Sequence, residues 1–338
     1  PWNSEQQNFY TELLCSALVA TSDVLVLVSA ITLACKNFFD IHKMKVLHQV
    51  YHATGEKQVK QRTFCGMVFA MSPFLFLYDD AEEIKETLTN EKKSLNRLLQ
   101  LLVHANNTDR DAAKIHQEIL PDLIEGQKKF MDSGSDLLRG SSLEEILNPE
   151  EEEQLAQKME QSMGKMNKMI QEGVDLYFGG FAQSKRHPFF MSYQNTCNWF
   201  LPFDISHPDL QQMAQNENGE KVMKMLSKLN VFCDSDKYSL ALRMDLFLNQ
   251  IPPQMLDMLT SDQLYGPSIQ LEPEVERNIS TGYVQDMYRF YRLNQFQPAF
   301  SNPFSIEKES SAMLCTLLYI YNDDENLYEV LKFFYKNK

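Results

Sequence analysis

Two histidines one helical turn apart are the sharpest candidates for chemistry in this sequence. In HQVYH, His48 and His52 stand at i and i+4 and share one face of a helix, the spacing by which HExxH proteins hold zinc. Gln49 occupies the place of the general-base glutamate, and Glu56 falls where the helix should end. The spacing admits a metal-binding helical protein as an alternative; the plain reading is two histidines on a half-wet helix face, with no metal bound.

A second set lies in and just after SKRHPFFMSYQNTCNWFLPF, residues 184–203. His187, Cys197 and Asp204 supply the base, thiol and acid of a hydrolase-type cleft. A thiol nucleophile needs a partner that lowers its pKa and a third group that orients the base, and nearness in sequence provides neither. No catalytic residue is assigned, and the cleft stands as an alternative. In YVQDMYRFYRLNQF, residues 283–296, Arg289 and Arg292 alternate with rings, a pattern that could stack bases and touch phosphates. The chain carries 32 basic and 46 acidic residues, a formal charge of −14, with no concentrated basic patch. That balance repels phosphate backbones and anionic membranes, so neither nucleic acid nor membrane is expected as a partner. Asp286 is read as an i+3 partner for Arg289.

Other signatures are missing. No GxGxxG occurs, GSDLLRGSS lacks the P-loop lysine, and NDDEN lacks the EF-hand glycine and final glutamate. The glycosylation patterns at Asn106 and Asn278 are chance matches at this length. No cofactor is expected. Six cysteines without CxxC spacing read as small buried hydrophobes in a reducing compartment, and the localisation expected is cytoplasmic.

The elements that must position these residues are helices. Only 12 of 338 residues are Gly, about half the usual ~7%, and no run of alternating strand residues appears. Helices are predicted near 5–20, 22–36, 40–53 and 56–71, as two antiparallel pairs, the second helix capped by Ser22 or Asp23. The apolar run from Leu13 to Cys35 imitates a membrane span, but a central Asp23 would cost ~2.5–3.5 kcal/mol there, so two short helices joined by a turn explain it better. VLVLVSAITLA and VKQRTFCGMVFA recur about 33–35 residues apart, the mark of stacked helix pairs, and Ala30, Ala34, Cys65 and Gly66 allow close approach.

Further helices are predicted near 79–106, 108–132, 148–171, 207–216, 219–230, 236–249, 273–296, 305–321 and 325–336. A linker is expected at 133–142, separating a HEAT-like region, 1–132, from a second helical region, 143–338. Leu155, Met159, Met163, Met166 and Ile170 form one apolar stripe, read as core. Pro1 and a last helix loaded on several faces predict that the natural chain extends past both ends.

From Tyr177 to Phe203 there are nine aromatics in 27 residues, where the chain-wide 11% predicts three. Bonds at His187-Pro188, Leu201-Pro202 and His207-Pro208 hold this backbone out of regular helix. So many rings on an irregular surface loop would expose a large apolar patch, so the segment is expected to be clamped between helical layers as packing. The alternative is a groove for a protein or peptide, with Phe189, Phe190, Tyr193, Trp199, Phe200, Tyr288, Arg289 and Arg292 as candidate binding residues.

HPFF at His187, NWFLPF at Asn198, CDSDKYS at Cys233 and YVQDMYRFYRL at Tyr283 together resemble a family of long, uncharacterised bacterial proteins with tetratricopeptide repeats toward the C-terminus. VKQRTFCGMV is similar to the HEAT-like portion of such proteins, and ENLYEVLKFFYKN to the opening helix of a repeat array. The likeness covers residues 180–300 and brings no catalytic residues. It implies an α-solenoid and a binding role. The expectation is thus an all-α, solenoid-like stack of antiparallel helix pairs with an irregular aromatic segment, a scaffold for another protein or peptide.

Overall fold

A computed structural model describes residues 1–79, 81–108, 111, 113, 115–119, 121–122, 149–172, 174–175, 178–211, 217–229, 232–244 and 275–294. Every regular element among these residues is helical. The expected linker at 133–142 and the helices expected at 305–321 and 325–336 lie outside the described residues. The chain forms two compact units, one of Pro1–Val103 with Gly180–Lys338 and one of His104–Gly179.

The first unit opens with α1 (Ser4–Cys15), α2 (Thr21–Asn37), α3 (Ile41–Ala53) and α4 (Lys57–Ala70). Asn3 and Gln6 start α1 with a reciprocal capping box that satisfies donors at the helix start. The apolar run does break into two helices, and no helix among the described residues is long and apolar enough to cross a membrane. The predicted cap of the second helix is corrected: Thr21 begins α2 after Ala20, with no side-chain cap, and Asp23 sits in the first turn, where its charge complements the helix dipole. Asp40 caps α3 by accepting the His42 N–H and also takes the Trp2 N–H at 2.7 Å. Burial opposes its ionisation, but those two bonds and the Lys43 ammonium outweigh burial and hold the carboxyl below its usual value.

Partners along the helices advance together. Trp2 bonds to Asp40, Gln7 to His42 and Thr11 to Gln49, so α1 and α3 run parallel. Arg62 reaches Leu25, and Lys36 lies over the Phe69 ring, so α2 and α4 also run parallel. Short connections make α3 antiparallel to α4. The main partner of α1 is α3 instead of the α2 expected from its short connection, because α2 packs most extensively on α4. Residues Gln61 to Ala70 of α4 are buried without interruption, so this helix needs neighbours on every side: α2, α3 and a late helix, Val275–Leu293.

The small-residue expectation holds at one point in particular. A Cβ on Gly66 would meet Thr32 Oγ1 at 2.4 Å, so glycine sets the α2–α4 approach. Thr32 returns its hydroxyl to Val28 O at 2.8 Å, leaving no unpaired donor in the contact. Ala30, by contrast, is exposed.

After a 3-10 turn at Pro73–Leu77, the single helix expected over 79–106 is two, α5 (Ala81–Asn90) and α6 (Lys92–Asn106). The break falls at Glu91, just after Thr89 turns its hydroxyl onto Lys85 O at 2.7 Å. In the second unit, α7 (Pro149–Glu172) begins with Pro149 and a run of acids. Its Met166 and Met169 pack against Ile115, Ile119 and Val174, while Met163, expected within the stripe, is 48% exposed.

Beyond residue 180 the first unit continues with the aromatic segment, then α8 (Glu217–Lys228), α9 (Asp234–Ala241) and α10 (Val275–Leu293). Pairings of Gln61 with Ser280, Arg62 with Tyr283 and Phe69 with Tyr291 lay α10 parallel to α4.

Candidate functional site

The aromatic segment has the irregular backbone that its prolines dictate: short 3-10 turns at Ser184–Arg186, Tyr193–Trp199 and Pro208–Leu210. Four of its rings point inward. Phe189, Phe190, Trp199 and Phe200 are buried, as is Tyr288 of α10. The Phe190 ring stands 4.9 Å from Phe189 and 5.0 Å from Trp199, and Phe200 and Trp199 both meet Phe290 of α10. Trp199 Nε1 donates to Phe190 O at 3.2 Å, so its one polar atom is satisfied inside the packing. Of the candidate binding residues, Arg289 is also buried and Arg292 is exposed. The Tyr193 side chain lies outside the described residues.

Arg62 ties this segment to the helical stack. Its Nη1 donates to Leu25 O at 3.1 Å and to Phe200 O at 2.8 Å, and its guanidinium lies 4.7 Å from the centre of the Tyr283 ring. One buried cation thereby joins α2, α4, the aromatic segment and α10.

The densest polar arrangement lies beside the rings. Lys185, from the turn before His187, places Nζ 2.9 Å from Asp236 Oδ1 and donates to Ser235 Oγ at 2.8 Å. Arg289 grips the same carboxylate, Nε to Oδ1 at 2.8 Å and Nη2 beside Oδ2 at 2.7 Å. The three charged side chains are at most 1% exposed. The Lys185 ammonium also sits 4.6 Å from the centre of the Phe190 ring. Asp286, one turn before Arg289, accepts the Ser235 N–H at 3.1 Å and so supplies from α10 a cap for the start of α9.

Burial sets the ionisation here. It opposes the Asp236 charge, but Arg289 and Lys185 outweigh it and keep the carboxyl below its usual value. It pulls Lys185 down against the attraction of Asp236, and it drives the Cys233 thiol well above its usual range. Burial, with Asp234 adding repulsion, pushes Asp286 up to about 6. A Lys–Ser contact of this length could activate a hydroxyl if the amine were neutral and reachable. Here the ammonium is paired, and Ser235 has no exposure.

The sequence candidates for catalysis are engaged locally. His187 Nδ1 accepts the Phe189 N–H, exposed Cys197 contacts its neighbour Asn198, and Asp204 accepts the Ser206 N–H and hydroxyl, which lower its pKa. His48 and His52 both aim Nε2 at the Thr87 hydroxyl of α5, at 2.9 and 3.0 Å. One hydroxyl serves both when one imidazole donates and the other accepts. Among the described residues no group of three or more His, Cys, Asp or Glu could hold a metal ion.

Cys35, Cys65 and Cys233 are buried, as their apolar neighbours imply, but Cys15 and Cys197 are exposed. The buried trio of Lys185, Asp236 and Arg289 carried one sequence clue. CDSDKYS places two acids at a helix start, yet nothing in that string says that Asp236 faces inward. No protein-family model, no curated protein and no solved structure matches the chain.

Proposed function

We propose that the chain is a non-catalytic, solenoid-like helical scaffold, HEAT- and tetratricopeptide-like in kind, that binds another protein or peptide in the cytoplasm. The observation that carries this reading is the fate of its reactive-looking groups. Lys185 and Arg289 are both held on the Asp236 carboxylate where nothing can reach them, and the rings around them are spent on packing. The parallel courses of α1 with α3 and α2 with α4 support stacked pairs, an architecture whose long faces bind partners. The motif likeness to bacterial tetratricopeptide-repeat proteins points the same way, and the acidic balance disfavours nucleic acid.

The test is reconstitution. A partner captured from the native cytosol, purified and mixed with this chain, should elute with it as a complex of fixed stoichiometry, neither component chemically altered. Turnover of a substrate that is lost in Cys197→Ala would overturn the reading in favour of a hydrolase-type cleft.

A further inference from the structure

Two adjoining turns of the first unit carry four exposed large apolar side chains. Phe38, at the end of α2, is 74% exposed; Phe74 and Leu77, on the 3-10 turn, are 62% and 78% exposed; Tyr78 follows at 42%. Phe39 meets the Tyr78 ring at 6.2 Å, which joins the α2–α3 turn to the Pro73–Leu77 turn. The placement is held from beneath: Leu75 is buried, and Ser72 caps the turn through the Phe74 N–H. Single exposed apolar residues such as Phe9 and Leu18 are ordinary, whereas several on two adjoining turns point to an interaction surface.

Its border is acidic. Asp79, Glu82, Glu83 and Glu86 follow directly and are exposed. The nearby cations are engaged: Lys36 lies 5.8 Å from the Phe69 ring centre, Lys43 pairs with Asp40 at 3.3 Å, and Lys85 with Glu82 at 3.7 Å. We infer that Phe38, Phe74, Leu77 and Tyr78 form the docking surface for an amphipathic helix of a partner protein, its apolar stripe on the rings and a Lys/Arg flank on the acids. The inference rests on the scaffold reading. A second copy would bring the same acids face to face, and an anionic membrane would meet them with like charge.

The test uses a fluorescent Leu–Lys amphipathic helical peptide, with a Leu–Glu peptide of the same apolar face as its counterpart, measured by anisotropy. Phe38→Ser/Leu77→Ser should weaken Leu–Lys binding ~10-fold or more, because apolar anchors carry most of such an interface. Phe9→Ser/Leu18→Ser should leave it unchanged. Glu82→Gln/Glu83→Gln should weaken it ~3-fold and flatten its salt dependence, and the Leu–Glu peptide should bind ~10-fold more weakly than Leu–Lys.

Equal loss in both serine variants, or tighter binding of Leu–Glu, overturns the inference. So does a wild-type dimer in sedimentation, or capture by phosphatidylserine vesicles, if either is lost in Phe38→Ser/Leu77→Ser. A partner complex that forms undiminished with Phe38→Ser/Leu77→Ser refutes this surface and leaves the scaffold reading standing.

Discussion

Where α2 meets α4 at Gly66, the fit is one of shape: Gly66 leaves room for the Thr32 hydroxyl, and Thr32 and Thr63 return their hydroxyls to carbonyls of their own helices. Where the Ser184–Arg186 turn meets α9 and α10, the fit is one of charge, with two cations on one carboxylate. The shape contact tolerates polar change and punishes added volume. The charge contact tolerates apolar replacement of the whole set and punishes removal of one member, because a partnerless buried ion keeps its desolvation cost. Both belong to one unit, so their difference can be read in a single unfolding experiment.

The largest expected effect breaks the charge contact from one side. Asp236→Leu leaves Lys185 and Arg289 buried without their carboxylate and should cost ~3–5 kcal/mol in denaturant unfolding. Wild-type stability in that variant would mean the cations are solvated.

Next is the shape contact. Gly66→Ala should cost ~1–3 kcal/mol through overpacking against Thr32. In Gly66→Ala/Thr32→Ala the penalty should largely disappear, since alanine also favours helix by ~1 kcal/mol over glycine. Additive losses in that double-mutant cycle would contradict the close approach.

The charge contact also responds to acid. Asp286, raised to about 6, binds its proton more readily in the folded chain than in the unfolded one. Its contribution is therefore full below ~4 and is lost as pH rises through ~6, so stability should increase by ~2 kcal/mol between pH 7.5 and 4.5. Asp286→Asn keeps an acceptor for the Ser235 N–H and should flatten that slope; an unchanged slope would assign the proton elsewhere.

His48 should act in the opposite sense and by less. Burial first, then the neighbouring His52, lowers its pKa, so its contribution is present above ~6.5 and is lost as pH falls through its depressed value. An NMR titration should find His48 below its usual midpoint, with Thr87→Val altering that midpoint.

How much of this was legible in the sequence follows the kind of contact. Helical period placed α2, α3 and α4 to within a residue at each end, whereas α1 stops at Cys15, short of the predicted end at 20, because 3.6-residue patterning is local and fixes faces better than ends. The break in the Leu13–Cys35 run was readable from Asp23, and the inward aim of the 184–203 rings from their number and the three prolines. The α1–α3 pairing was not, since sequence neighbours compete with parallel partners one hairpin away. Nor was the charge contact: Lys185, Asp236 and Arg289 are separated by tens of residues, and their types are those of a solvated surface. Arg62 is likewise of a type usually found on the surface, yet it is buried against α10.

The most direct test of the claim that these charges serve structure is the unfolding free energy of Lys185→Met/Asp236→Leu/Arg289→Met beside that of Asp236→Leu. The triple variant should recover most of what the single variant loses and should bind the reconstituted partner as wild type does. A triple variant as unstable as the single one, or one that folds but loses a measurable turnover, would contradict it.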